Sequence, residues 1–161
     1  MANITSKFVS SFSELYFRTT PLTTAEIADP SSWFDDAAIV EIKGLAEIGT
    51  LANESTVIEA PEFGEKYKGK LRGQLDAGTL DASVYWSPRS AAHLAMREAA
   101  SNGTRLSFGI KLKNDAAGTD LEMVTFDGFI SSFGIDLTFD DVVKASTTIV
   151  IDGEPYFDSP A

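Results

Sequence analysis

Residues 64 to 71 read Gly-Glu-Lys-Tyr-Lys-Gly-Lys-Leu, with two glycines and a lysine spaced as in a phosphate-binding loop. The chemistry fails at Leu71, where a Ser or Thr would have to supply the hydroxyl that holds the metal. The stretch also leads into a strand pattern rather than a helix, so no helix N-terminus would receive the phosphates. His93 is the only histidine and the chain has no cysteine, which leaves a metal or a proton relay without a second nitrogen or sulfur partner. It lies in an Ala-rich helical stretch, where a packed or partly exposed histidine is the plainer reading. Asp35-Asp36 and Asp140-Asp141 are adjacent acidic pairs, but neighbours on a strand point to opposite faces and do not converge on one proton or ion. Turn and solubilising roles fit them, with weak cation binding as the remainder. No set of catalytic groups emerges, and the sequence predicts neither an enzyme nor a cofactor or metal site.

The basic residues are more organised. Lys66, Lys68, Lys70 and Arg72 alternate with Tyr67, Gly69, Leu71 and Gly73, so a strand over Tyr67 to Leu75 would carry one basic face. Such lysines commonly blunt a sheet edge against aggregation. With a formal net charge of -11, a single positive face also suits contact with the acidic surface of another copy. A nucleic-acid stripe is disfavoured, because only Tyr67 is interleaved as a stacking aromatic and the overall charge repels phosphates.

The elements that would position these residues are mainly strands. Residues 39 to 49 place Val40, Ile42, Ala46 and Ile48 on one parity, with Glu41, Lys43 and Glu47 mostly on the other. Residues 50 to 66 read as a connection far longer than a hairpin loop. Asp76-Ala77-Gly78 turns the Tyr67 to Leu75 strand into Thr79 to Trp86, which predicts a hairpin. Ser87-Pro88 reads as a helix start and Asn102-Gly103 as its end, giving a helix over 88–102. Leu106 to Leu112 alternates, Asn114 to Gly118 turns, and Leu121 to Phe133 and Val142 to Ile151 follow as strands. In the last of these Val143, Ala145, Thr147, Ile149 and Ile151 form the inner parity, while Lys144, Ser146 and Thr148 face outward.

About seven strands and one helix in this order predict a mainly β domain, an antiparallel two-sheet sandwich or barrel with one flanking α-helix. Residues 1–38 read as an N-terminal arm and loop with a strand around Ser13 to Thr19, 39–157 as the β domain and 158–161 as a C-terminal tail. The 161 residues, 43% hydrophobic, are enough for one core. The N-terminal stretch shows no basic leader followed by an apolar block, and no run approaches the ~18 apolar residues of a membrane span. A cytoplasmic product with no membrane partner is therefore expected, and Asn3, Asn53 and Asn102 read as chance glycosylation matches.

Several pieces in order resemble the major tail tube proteins of long-tailed, lambda-like bacteriophages. They are Arg72-Gly73 with Asp76-Ala77-Gly78-Thr79-Leu80, then Ser83-Val84-Tyr85-Trp86-Ser87-Pro88, then the Ala-rich helix closed by Asn102-Gly103. Phe108-Gly109-Ile110, Phe126-Asp127-Gly128-Phe129-Ile130-Ser131-Ser132-Phe133 and Ile151-Asp152-Gly153-Glu154-Pro155 complete the set. The resemblance implies the phage tail tube fold and a structural virion protein made in the host cytoplasm and built into the virion tail. It implies that six copies pair strands into a ring with an inner β-barrel, and that rings stack into a tube whose lumen conducts DNA during ejection without binding it specifically. Its partners would be further copies of itself and tape measure, tail tip and terminator proteins. The inter-ring contact would fall on the 50–66 connection, at Thr50, Glu54, Val57, Glu59, Glu62 and Lys66. The stripe Lys66, Lys68, Lys70 and Arg72 would bridge subunits, and Glu41, Glu47 and Asp81 are candidate lumen acids.

Closure into a ring removes the open edges of a small β domain, and an acidic wall does not hold passing phosphates. Two other readings compete. One is the tube of a contractile injection system or bacteriocin particle, and the other a non-viral β-sandwich that binds a cation or glycan near Asp140-Asp141.

Overall fold

A computed structural model describes residues 13–113, 120–138 and 141–158. Period-two alternation drives the architecture: Leu106, Phe108 and Ile110 on β7 (Arg105–Lys113) are buried, as are Val124, Phe126 and Ile130 on β8 (Asp120–Asp136). The two strands pair antiparallel with Phe108 opposite Phe126, and their rings stack at 5.5 Å between centroids. On one side of β7 lie β1 (Glu14–Arg18) and then β2 (Val40–Glu41). Beyond β8 follow β9 (Lys144–Ile151), β6 (Thr79–Tyr85) and β3 (Leu45–Ile48), while β10 (Tyr156–Asp158) pairs with the first part of β8.

The register of β8 against β9 shifts between Ile130 and Ser132, and this bulge divides the long strand. Residues up to Phe129 pair with β7, Met123 to Thr125 also with β10, and Gly128 to Asp136 pair with β9, so past the bulge β9 is the partner. The eight-stranded sheet thus folds into two layers that share one core. Leu15, Phe17, Leu106, Phe108 and Phe126 come from the first layer and Leu80, Ala82, Val84, Ala145 and Ile149 from the second. The chain crosses between the layers at residues 42–44: the Ile42 N–H donates to the Leu15 carbonyl, and the Tyr85 N–H donates to that of Gly44. Gly44 has φ 75°, a left-handed conformation that glycine adopts without strain.

The predicted mainly β fold with two sheets is what forms, with ten strands and three helices among the described residues. The inner parity of the last strand is also as read, with Ala145, Thr147, Ile149 and Ile151 buried. The main helix, α3 (Ala91–Asn102), turns Ala92, His93, Met96 and Ala99 inward and closes at Gly103, φ 65°. It begins at Ala91 rather than at residue 88, with Ser90 as N-cap, and the Ser90 N–H donates to the Ser87 carbonyl in a preceding turn. No helix among the described residues is long and apolar enough to cross a membrane.

Three expectations are corrected. Asp76-Ala77-Gly78 does not close a hairpin: β5 (Gly69–Asp76) pairs with β4 (Glu54–Ala60), and β6 lies between β3 and β9. Buried Leu80, Ala82 and Val84 hold β6 inside a layer, whereas β5 alternates exposed leucines with lysine and arginine and offers the core nothing to bury. The connection over 50–66 is therefore half of a two-stranded ribbon, nucleated by the β-branched run Thr56-Val57-Ile58. In the region expected as arm and loop the strand around Ser13 to Thr19 forms as β1, but the stretch after it holds two short helices, α1 (Thr24–Ala28) and α2 (Pro30–Trp33).

These helices cover the outer face of the first layer. Thr23 and Glu26 form a capping box at α1, and Asp29 caps α2 with Pro30 in its first turn. Trp33 is fully buried, and its Nε1 donates to Ser107 Oγ at 3.0 Å. The same hydroxyl donates to the Thr20 carbonyl at 2.7 Å. Gly109 makes room for the indole: a Cβ there would lie 2.3 Å from Trp33 Cζ3 and 2.8 Å from the Phe34 ring. Gly109→Ala should therefore destabilise the fold by about 1–3 kcal/mol through overpacking, read as a lower thermal midpoint. An unchanged midpoint would mean that Trp33 can move aside freely.

Candidate assembly surfaces

The β4–β5 ribbon leaves the body with little cover, since every residue of its two strands except Ala60 and Gly73 is exposed. Cross-strand pairing sorts its side chains. Ile58 opposes Leu71 on one face, and a register shift between Ser55 and Val57 puts Leu75, opposite Ser55, on the other. On the other face Val57 opposes Arg72 and Glu59 opposes Lys70, while Lys68 Nζ reaches Glu59 at 3.2 Å. Exposure of Val57 is 61%, of Ile58 54% and of Leu71 60%, and Phe63 near the tip is fully exposed. Of the residues predicted for an inter-ring contact, Glu54, Val57 and Glu59 lie on β4, Glu62 and Lys66 lie between the strands, and Thr50 precedes the ribbon. Lys70 and Arg72 share the charged face of β5, with Lys66 and Lys68 before the strand begins.

A second surface is the outer face of the β3–β6–β9–β8 layer. Glu47 opposes Ser83, Ser83 opposes Ser146 and Asp81 opposes Thr148, so all five share a face with Asp136 and Lys144 at its end. Thr148 Oγ1 donates to Asp81 Oδ1 at 2.8 Å and Ser146 Oγ to Asp136 Oδ2 at 3.2 Å. A groove of about 270 Å³ runs along Glu47, Asp81, Ser83, Ser146 and Thr148. Two of the three predicted lumen acids, Glu47 and Asp81, are brought together there. Glu41 is not: it pairs with Tyr16 on β1, in the other layer.

Among the described residues this layer also has two open edges: β3 pairs only with β6, and β8 beyond Ser131 pairs only with β9. Successive antiparallel pairing makes the two edge strands antiparallel to each other, so β3 of one copy could extend the ladder of β8 in another without a break in pattern.

Arg18 anchors the helical cover, and the sequence reading missed it. It is buried, with Nη1 2.6 Å from Glu26 Oε1 and 2.7 Å from Asp36 Oδ2 and Nη2 2.9 Å from Glu26 Oε2. Nη2 also donates to the Pro21 carbonyl at 2.9 Å. The Arg18 hydrogen bonds hold the Glu26 carboxyl well below its ordinary value, at about 2, against the opposing effect of burial. Asp36 is lowered too, by the Ala38 N–H and then by Arg18. Only the Thr23-x-x-Glu26 capping pattern hinted at this cluster, since nothing local links position 18 to position 36.

His93 is a packing residue. Its Nδ1 accepts from the Ser87 N–H at 3.1 Å, so Nε2 carries the proton and donates to the Lys43 carbonyl at 2.7 Å, and the ring stacks on Trp86. Asp35 is exposed whereas Asp36 turns to Arg18. Asp140 lies outside the described residues, as does the turn predicted over Asn114 to Gly118. Among the described residues no three His, Asp or Glu side chains gather as a metal site.

Residues 27–159 match the family model described as phage tail tube, lambda-like. The chain belongs to the lambda-like phage tail tube family. Tail tube proteins are components of the virion tail and are structural rather than catalytic. No curated protein matches the sequence. Among solved structures, a chain of the anti-feeding prophage baseplate has a TM-score of 0.70 at 14% identity, over 99% of this chain and 98% of that one. The SPP1 tail tube gives 0.67 at 13% identity, over 96% and 80%. A chain of the sheath-tube complex of the extracellular contractile injection system PVC gives 0.69 at 14%, over 96% and 93%. At these identities the likeness is one of fold, and it makes this tail tube protein similar to tubes of both phages and contractile injection systems.

Proposed function

We propose that six copies of this tail tube protein close into a ring through the open edges of β3 and β8, and that rings stack into a tube that conducts phage DNA during ejection. The observation that carries the reading is the β3–β6–β9–β8 layer, with two mutually antiparallel edges left unpaired among the described residues and one polar acidic face. Joined edge to edge, six such layers would line a channel with Glu47, Asp81, Asp136 and small hydroxyls. Such a wall offers no steady foothold to phosphates. The likeness to a baseplate chain from a sixfold-symmetrised structure supports the ring number.

The ribbon supplies contacts between rings, with its apolar face buried there and Lys66, Lys68, Lys70 and Arg72 meeting the acidic surface of another subunit. Tape measure, tail tip and terminator proteins are the further partners, and structures of a tube terminator and a tube-terminating cap with similar chains support the last of these. Synthesis in the host cytoplasm precedes assembly into the virion tail.

Electron microscopy of concentrated purified protein tests the reading, with hollow sixfold rings or tubes as the expected result. Protein that stays monomeric at every concentration, in virions that carry it outside the tail shaft, would sink it. A second reading, the tube of a contractile injection system, is favoured by the likeness to the anti-feeding prophage and PVC chains. A contractile sheath gene adjacent to this one would decide for it.

A further inference from the structure

We propose that His93 is an acid-sensitive latch: as a neutral ring it ties the crossing between the layers to the start of α3, and on gaining a proton it releases that tie. The latch lies within one subunit, so it stands or falls apart from the ring reading.

Two backbone groups far apart in the chain meet on this one ring. The Ser87 N–H donates to Nδ1 at 3.1 Å, and Nε2 donates to the Lys43 carbonyl at 2.7 Å. Lys43 belongs to the crossing at residues 42–44, and Gly44 after it accepts from the Tyr85 N–H and leads directly into β3. Ser87 opens the turn before α3, while Trp86 beside it donates its N–H to the Val143 carbonyl and stacks on the imidazole at 5.8 Å between centroids. His93 is only 3% exposed, so a bond lost there is not simply replaced by one to water.

The bond from Ser87 exists only while Nδ1 keeps its lone pair. An added proton sets two N–H donors against each other across 3.1 Å, and either the ring turns away or the turn before α3 moves. No anion touches the ring to offset its charge, because backbone groups take both nitrogens. The carboxylates on the surrounding elements are Glu98, exposed on α3, and Asp136 on β8, which accepts from Ser146. The cations there are Arg97 over the Trp86 ring at 5.5 Å, Lys144 over the Tyr85 ring, and the exposed Lys43 and Arg89. Imidazoles take up their proton between about pH 8 and about pH 5. The tie is therefore present at the upper end of that window and lost toward its lower end, before the Glu26 contact begins to yield at about 4.5.

His93 is the only histidine, so the nitrogen NMR signals of one labelled ring report on the latch directly. Amide exchange of the unaltered protein, corrected for the intrinsic effect of pH, should show protection over residues 43–48 and 87–94 falling about tenfold between about pH 7.5 and about pH 5.5. Strand β7 and the first part of β8 should keep theirs, and the fall should coincide with the arrival of the proton on Nδ1. In His93→Gln, whose amide keeps a donor and an acceptor but does not titrate, the fall should vanish. Constant protection in the unaltered protein, a loss that does not follow the ring proton, or the same loss in His93→Gln overturns the inference. Should that variant fail to fold, the coincidence of ring protonation with lost protection in the unaltered protein decides alone.

Discussion

Replacing Arg18 with Met should lower the thermal midpoint by roughly 6–12 °C, the largest single-residue effect expected in the body of the protein. Methionine keeps the length and apolar stem but leaves the Glu26 carboxylate without its bidentate partner. Breaking a buried ion pair from one side costs on the order of 3–5 kcal/mol. We take about 3 kcal/mol, because Glu26 is partly open to solvent and keeps the Thr23 N–H at 2.8 Å. For a domain of this size each kcal/mol moves the midpoint by about 2–4 °C. The same contacts define an acid limb. A carboxyl whose pKa falls from 4.5 to about 2 on folding stabilises the native state above its unfolded value. That stabilisation is lost as pH drops from about 4.5 through about 2, and it is the same interaction, not an addition to the first. Calorimetry across this range should show the midpoint of the unaltered protein falling steeply and that of Arg18→Met falling less. Parallel curves would show that Glu26 is not held by Arg18.

Placing Asp at Ile58 and Leu71 together should raise the concentration needed for tube growth by at least about 100-fold while the subunit stays folded. Burying two such side chains at a contact is worth about 3–5 kcal/mol, and each 1.4 kcal/mol is about tenfold in association. Neither residue packs on the body, so the thermal midpoint of the monomer should move little. Charge reversal at Lys68, Lys70 and Arg72 should also weaken tubes, but less, and the defect should shrink as salt is raised because exposed ion pairs are screened. Pelleting assays at several salt concentrations separate the two. Tubes of normal yield from the Ile58, Leu71 variant would remove the ribbon from the assembly, and normal yield from the charge variant would leave the stripe as edge protection alone.

Much of this was legible in the residues. Alternation assigns a face: Leu106, Phe108 and Ile110 had to point one way, and Ser146 and Thr148 had to point away from Ile149. The same rule put Lys70 and Arg72 on the face opposite Leu71. The polar reading of residues 50–66 obscured β4, because Pro61, Gly64 and several acids outweighed the short run Thr56-Val57-Ile58.

Face is therefore what the sequence by itself determined, together with the acidic charge, the lack of cysteine chemistry and the order of strands around one helix. Partner choice was left to the tertiary structure. Backbone donors and acceptors are the same on every strand, so nothing local told β5 to leave β6 for β4. Burial decided it, by holding Leu80, Ala82 and Val84 between β3 and β9 and leaving β5 outside. For the same reason only the folded chain could gather Glu47 and Asp81 on one face, send Glu41 to the other layer, and close Arg18 upon Glu26 and Asp36.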